Sequence, residues 1–195
     1  MIKYLAFCFM VIAGYIFYSS LPVYQGPGIT AENEPQLSHL SWQKPVNFRS
    51  ATLVPKRVIE GEVRIVKKKR YFFDSMSEYE PVDAVVGWSE LSDERNLDFI
   101  HFSIDKRSYN VEVARPPVPL QQIYEQTDLW HLVPSTSSID EKVKGLRNGH
   151  IIKLKGLLID IQSESDYGFF TKASESRSNH KDGFIIWVEE LTIKQ

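Results

Sequence analysis

Period-two hydrophobic alternation in several segments, a glycine inside a long apolar strand and one short capped helix predict a mainly β domain with one or two short helices. With an uncharged apolar run at the N-terminus added, the chain reads as a small OB-like barrel behind an N-terminal transmembrane helix. Of 195 residues, 43% are hydrophobic and 25% charged, a globular balance that argues against disorder and against a multi-span membrane protein. The formal net charge of -2 supplies no positive field to gather nucleic acid, and none is expected as a partner.

Met1-Ile2-Lys3 supplies a positive n-region, and Tyr4 to Tyr18 is apolar or aromatic, with no further charge until Glu32. Such a run enters the export machinery and leaves Lys3 on the cytoplasmic side. Around Ser19-Ser20-Leu21-Pro22 there is no small-x-small cleavage site, and Tyr18 stands where that site needs a small residue. Leu5-Ala6-Phe7-Cys8 is not a lipoprotein signal, because Phe7 is bulky and little apolar sequence precedes Cys8. Residues 1–21 are therefore expected to be a retained anchor, single-pass in the inner membrane through residues 2–21, with the C-terminal domain in the periplasm. The plainer reading, a buried core helix, fits poorly with a terminal run that is apolar on all sides. Cys8 is the single cysteine, so the remainder can form neither a disulfide nor a Cys-ligated zinc site.

Residues 22–50 contain Gln25-Gly26-Pro27-Gly28, Glu34-Pro35 and Lys44-Pro45, which reads as a tether and an irregular approach. The β domain then occupies 51–195. Ile59, Gly61, Val63 and Ile65 alternate with Glu60, Glu62 and Arg64, a strand with one face buried. Val82 to Trp88 is a short apolar strand; Ile100, Phe102 and Ile104, then Tyr109, Val111 and Val113, mark two more, with Asp105-Lys106-Arg107 as the turn between them. The prolines of Arg115-Pro116-Pro117-Val118-Pro119 stop sheet pairing by removing donors. Ser138-Ile139-Asp140-Glu141 is a capping box, and Ile139, Val143 and Leu146 form one stripe of a helix that ends at Asn148-Gly149. Ile151 to Ile161 carries Ile152, Leu154, Gly156 and Leu158 on one face, Gly156 marking a bend where a small barrel coils. After a polar surface loop, Ser174 to Gly183, Phe184 to Ile193 is a last strand. A two-sheet sandwich is the alternative arrangement.

Two stretches carry candidate site residues. In Gly87-Trp88-Ser89-Glu90-Leu91-Ser92-Asp93, Trp88, Ser92 and Asp93 follow a strand and could line a binding site. The plainer reading is that Ser92 caps a short helix through Leu97 while Trp88 packs at the strand end. In Trp130-His131-Leu132-Val133-Pro134, the histidine between apolar neighbours must satisfy both ring nitrogens, and Trp130 and His131 join the candidate binding set. A hydrogen-bonded core histidine is the plainer reading there. A Ser/His/Asp set from Ser92, Asp93 and His131 lacks a nucleophile-elbow pattern, and His101, His131, His150 and His180 lack the short spacing of metal ligands. No catalytic residue, metal or cofactor is assigned. Lys67-Lys68-Lys69-Arg70, followed by Tyr71-Phe72-Phe73, could hold a nucleic-acid strand on an OB-type barrel, or protect an edge strand; the net charge and the expected export favour the second.

Pro81 to Asp93, then His131-Leu132-Val133-Pro134, then Gly149 to Asp160 together resemble a group of uncharacterised bacterial envelope proteins, periplasmic and membrane-anchored, with Gly-Trp-x-x-x-Ser-Asp and His-x-x-Pro motifs. The resemblance covers most of residues 50–193 and departs from the group's pattern at Ser89, Leu91 and Leu129. It implies a bacterial extracytoplasmic domain with envelope proteins as partners, and it transfers no catalytic residue. The expected function is a non-catalytic, membrane-anchored interaction module of an envelope assembly. A ligand-binding envelope barrel and a hydrolase using His131 and Asp93 are the alternatives. A deep pocket holding His131 beside Asp93 or Ser92 would favour the enzyme; a buried His131 with exposed apolar surface would favour the interaction module.

Overall fold

The computed structural model describes residues 4, 7–11, 14, 17–18, 21–73, 76–163 and 183–194. The described chain is mainly β: β1 (Gln36–His39), β2 (Val46–Phe48), β3 (Ala51–Arg70), β4 (Val82–Gly87), β5 (His101–Asp105), β6 (Ser108–Glu112), β7 (Thr127–Pro134), β8 (Ile151–Ser163) and β9 (Phe184–Lys194). Short helices occupy Glu94–Leu97, Leu120–Glu125 and Ser137–Lys144, with a 3-10 turn at Ser89–Ser92. The 22–50 stretch, expected as tether and approach, thus supplies two strands of its own.

A 7-stranded sheet is built around β3, which is 20 residues long. One edge of β3 meets β2, β1 and β4 in succession; the other meets β8 from Ala51 to Arg64. β4 continues to β7, β7 pairs in parallel with β9, and β9 returns to β8. Bulges decide which side chains reach the core. A register shift between Pro55 and Arg57 reverses the parity of β3, so Ala51 and Leu53 join one hydrophobic cluster while Ile59, Val63 and Ile65 join another. The larger cluster fills the inner face and is capped by Ile139, Val143 and Leu146 beside the Ser137–Lys144 helix. That helix is capped by Thr136, whose Oγ1 accepts the Ile139 N–H at 3.2 Å, two residues before the expected capping box. β5 and β6 form a separate hairpin that packs Ile100, Phe102, Ile104 and Tyr109 against Val85 and Leu129 on the outer face.

The expected fold class is corrected in one part. The strand pairings run β3–β4–β7–β9–β8 and return to β3, a ring of five strands in which β8 and β4 take opposite edges and successive lengths of β3, overlapping only at Arg64. The correction concerns the transmembrane helix expected in front of it. Among the described residues no helix is long and apolar enough to cross a membrane. A span needs about 20 consecutive apolar residues in one helix. This overturns the single-pass inner-membrane anchor and the periplasmic placement of the C-terminal domain that depended on it. Residues 2–3, 5–6, 12–13, 15–16 and 19–20 of the expected anchor, and residues 174–182 of the expected surface loop, lie outside the described residues.

Candidate functional site

β4 and β7 run antiparallel, and their register sets Asp83 directly opposite His131. A cross-strand pair shares one face of the sheet, here the outer face beneath the β5–β6 hairpin. His131 Nδ1 lies 2.7 Å from Asp83 Oδ1, and both side chains are buried. The hairpin tip brings a cation to the same place: Arg107 Nη1 donates to Asp83 Oδ1 at 3.1 Å and to Glu80 Oε2 at 3.0 Å. The guanidinium also lies 4.1 Å over the Tyr71 ring. Lys106 and Arg107 stand at φ 45° and 60°, as a two-residue turn of this hand requires at both central positions. Asn-Gly is the ordinary choice there; the strain of non-glycine residues is offset by the bonds Arg107 makes to two buried carboxylates.

Glu80, Asp83 and His131 each offer a ligand atom, all within 4.8 Å of one another. The group does not fit a metal, because Arg107 already sits as the cation between the two carboxylates and would repel a second one. As chemistry, an Asp–His hydrogen bond orients an imidazole for acid–base work. Here the same bond closes a buried ion-pair network that pins the hairpin to the sheet. Asp128, on the same strand as His131, is a further buried acid. Its Oδ1 accepts the Leu129 N–H at 2.8 Å. Burial pushes its carboxyl up to about 7, against the opposing effects of the Leu129 N–H, the Trp130 indole and His131.

The residues singled out from sequence divide into two places. Trp130 and His131 are central in β7, Trp130 in the inner core and His131 on the outer face. Trp88, Ser92 and Asp93 lie past the end of β4. Trp88 packs in the inner core, and its backbone N–H donates to the Gln126 carbonyl at 3.1 Å. Asp93, not Ser92, caps the Glu94–Leu97 helix by accepting the Arg95 N–H at 2.9 Å. The Arg95 guanidinium holds the Asp93 carboxyl far below the usual range, with the Gly28 and Arg95 N–H groups adding to the effect. Ser92 Oγ accepts the N–H groups of Thr30 and Ala31, each at 3.1 Å. Both residues are thus engaged by the segment that precedes β1. His131 is paired with Asp83 rather than with Asp93.

Asp83, Glu80 and Arg107 carry the cluster around His131 and escape a reading by motif. A signal for them exists: an aspartate inside the apolar run Val82 to Gly87 must find a cation or donor if buried, and Lys-Arg replaces Asn-Gly in a tight turn. The basic run is likewise put to internal use. Lys68 Nζ donates to the carbonyls of Lys144, at 2.9 Å, and of Leu146, and Lys69 Nζ donates to the Ile104 carbonyl at 3.0 Å. Burial, then the Arg70 charge, lowers the Lys68 pKa to about 8. Comparison with protein-family models, with curated proteins and with solved structures finds no match.

Proposed function

We propose that this protein is a non-catalytic interaction module that engages a partner protein through the aromatic tip following β3. The observation that carries the reading is the exposure of Phe72 and Phe73, 65% and 101% of their surface. The Arg70 guanidinium lies 4.7 Å over the Phe72 ring. Aromatic and arginine side chains supply most of the energy at protein interfaces, because they bury large area with little entropy to lose. The tip has a firm base: Arg70 pairs with Val82 across β3 and β4, and Lys68 and Lys69 are tied to the helix and the hairpin. Behind it a hollow of about 370 Å³, lined by Arg49, Arg70, Tyr71, Phe72, Asp140 and Lys144, has room for a partner side chain. His131 is buried against Asp83, as an interaction module would have it, and Asp93 is held by Arg95. The resemblance to envelope proteins makes an envelope protein the first partner to look for.

A photo-crosslinking residue in place of Phe73 in the full chain tests this in cells. The reading expects one dominant protein adduct that Arg70→Ser combined with Phe72→Ser removes while the melting temperature stays unchanged. Adducts no different from those formed by the same residue at exposed Glu112 would overturn it.

A further inference from the structure

The segment from Val23 to Ala31 is tied to the domain almost entirely through its backbone. Gln25 N–H donates to Glu94 Oε2 at 3.4 Å and Gly28 N–H to Asp93 Oδ1 at 3.1 Å. Thr30 and Ala31 donate to Ser92 Oγ. The Ser92 hydroxyl in turn donates to the Ser89 carbonyl at 2.7 Å, which uses its one donor and both acceptor positions. Ser89 N–H returns a bond to the Ala31 carbonyl at 2.7 Å, and Thr30 Oγ1 donates to the Ser92 carbonyl at 2.9 Å.

This strap has many polar bonds and little apolar burial. Ala31 is its one buried side chain, at 1% exposure, while Tyr24 and Ile29 are 76% and 45% exposed. A segment held this way opens at lower free energy than the sheet beneath it. The acceptors it would leave are held by groups outside the strap. Arg64 braces Glu94 and donates to the Ser92 carbonyl at 3.1 Å, and Arg95 grips Asp93 at 2.5 Å. Beside them a cavity of about 210 Å³ runs under Pro22 and Val23, with Arg64, Leu97 and Phe102 among its walls. A row of preorganised acceptors that reads backbone N–H groups is a means of recognising extended peptide.

We propose that Ser92, Asp93 and Glu94 form a peptide-recognition site that residues 25–31 occupy in cis, and that an extended segment of like pattern takes their place in trans. The pattern has two fixed points. The position of Gly28 has φ +125°, where any side chain is strained, and the position of Ala31 admits only a small residue. The strap is then an autoinhibitory contact at a second surface, independent of the Phe72–Phe73 tip.

The test uses the full chain with a specific protease sequence inserted between Asn33 and Glu34. The folded protein is cleaved and titrated with a fluorescent synthetic peptide of residues 22–33. The expected result is a saturable rise in anisotropy, reversed by unlabelled peptide and at least tenfold weaker for the uncleaved chain. Ala31→Glu in the peptide, which leaves the protein untouched, should reduce binding at least tenfold, as should Asp93→Asn in the protein. Three results would overturn the proposal: a cleaved protein that keeps its circular dichroism and ignores the peptide, equal binding of the Ala31→Glu peptide, or unfolding on cleavage, which would make the strap an integral part of the core. Phe72→Ser with Phe73→Ser should bind the peptide unchanged, which separates this site from the aromatic tip.

Discussion

His131 Nδ1 and Asp83 Oδ1 lie 2.7 Å apart across the β4–β7 pair, and Arg107 reaches the same aspartate oxygen from the hairpin tip. A carboxylate buried in a sheet is tolerated only when its charge is met by a cation or a donor. Asp83 therefore depends on two residues far from it in sequence. In return it fastens the β5–β6 hairpin over the outer face.

Removing Arg107 leaves Glu80 and Asp83 buried without their guanidinium. Arg107→Ala should destabilise the fold by about 3–5 kcal/mol, measured by urea unfolding. Arg107→Lys should recover only part of this, because an ammonium cannot span both carboxylates with a planar fork. Arg95→Ala removes a cation from the largely exposed side of an ion pair with Asp93, its side chain being 69% exposed, and should cost far less, because water screens that charge. Equal losses for Arg107→Ala and Arg95→Ala would contradict the network.

The Asp128 carboxyl, raised to about 7 by burial, binds a proton in the folded state that the unfolded chain has already released above its ordinary pKa near 4. Between those values the native state holds more protons, so this group makes stability fall as pH rises from about 4 to about 7. The upper bound is about 4 kcal/mol. Asp128→Asn should flatten the stability profile in that window, and a difference profile with no slope there would refute the assignment.

Lys68 shows the opposite sign. Its folded pKa of about 8 lies below the ordinary 10.5, so the unfolded chain binds more protons and stability rises with pH between those values. Lys68→Met should remove that rise. It should also cost about 1 kcal/mol near neutrality, because the carbonyls at the end of the Ser137–Lys144 helix lose their donor. Both effects are readable from denaturation at several pH values.

Gly156 lies where the β8–β9 register shifts, and a Cβ there would sit 2.3 Å from the Trp187 carbonyl oxygen. Backbone cannot step aside as a flexible side chain can. Gly156→Ala should lower stability by more than about 2 kcal/mol. Gly145→Ala, whose Cβ would meet the Glu141 carbonyl at 3.1 Å, should lower it less. Thermal melts of the two variants decide the matter.

Much of the fold was legible wherever one face of an element is buried and the other is wet. Alternation marks Ile59 to Ile65 and the two arms of the hairpin, and the stripe Ile139, Val143, Leu146 marks the helix. No alternation marks β7, because all eight of its residues are buried and a strand covered on both faces has no period to read. The candidate site was legible only in part. His131 stands out for its apolar neighbours, yet its partner lies 48 residues away and Arg107 in a turn between them.

The amino-acid sequence by itself determined that this is a mainly β chain with a short capped helix and a thiol-free domain. It also determined that His131 would need partners for its ring. Local periodicity and composition are enough for that. Only the tertiary structure decided that Asp83 and Arg107 are those partners, that Ser92 and Asp93 hold the chain's own strap, and that β3 carries β4 and β8 on opposite edges, joined to each other through β7 and β9. Those outcomes depend on strand order, register and bulges. They come from the packing of distant segments against one another, and no local pattern of residues encodes which segment arrives.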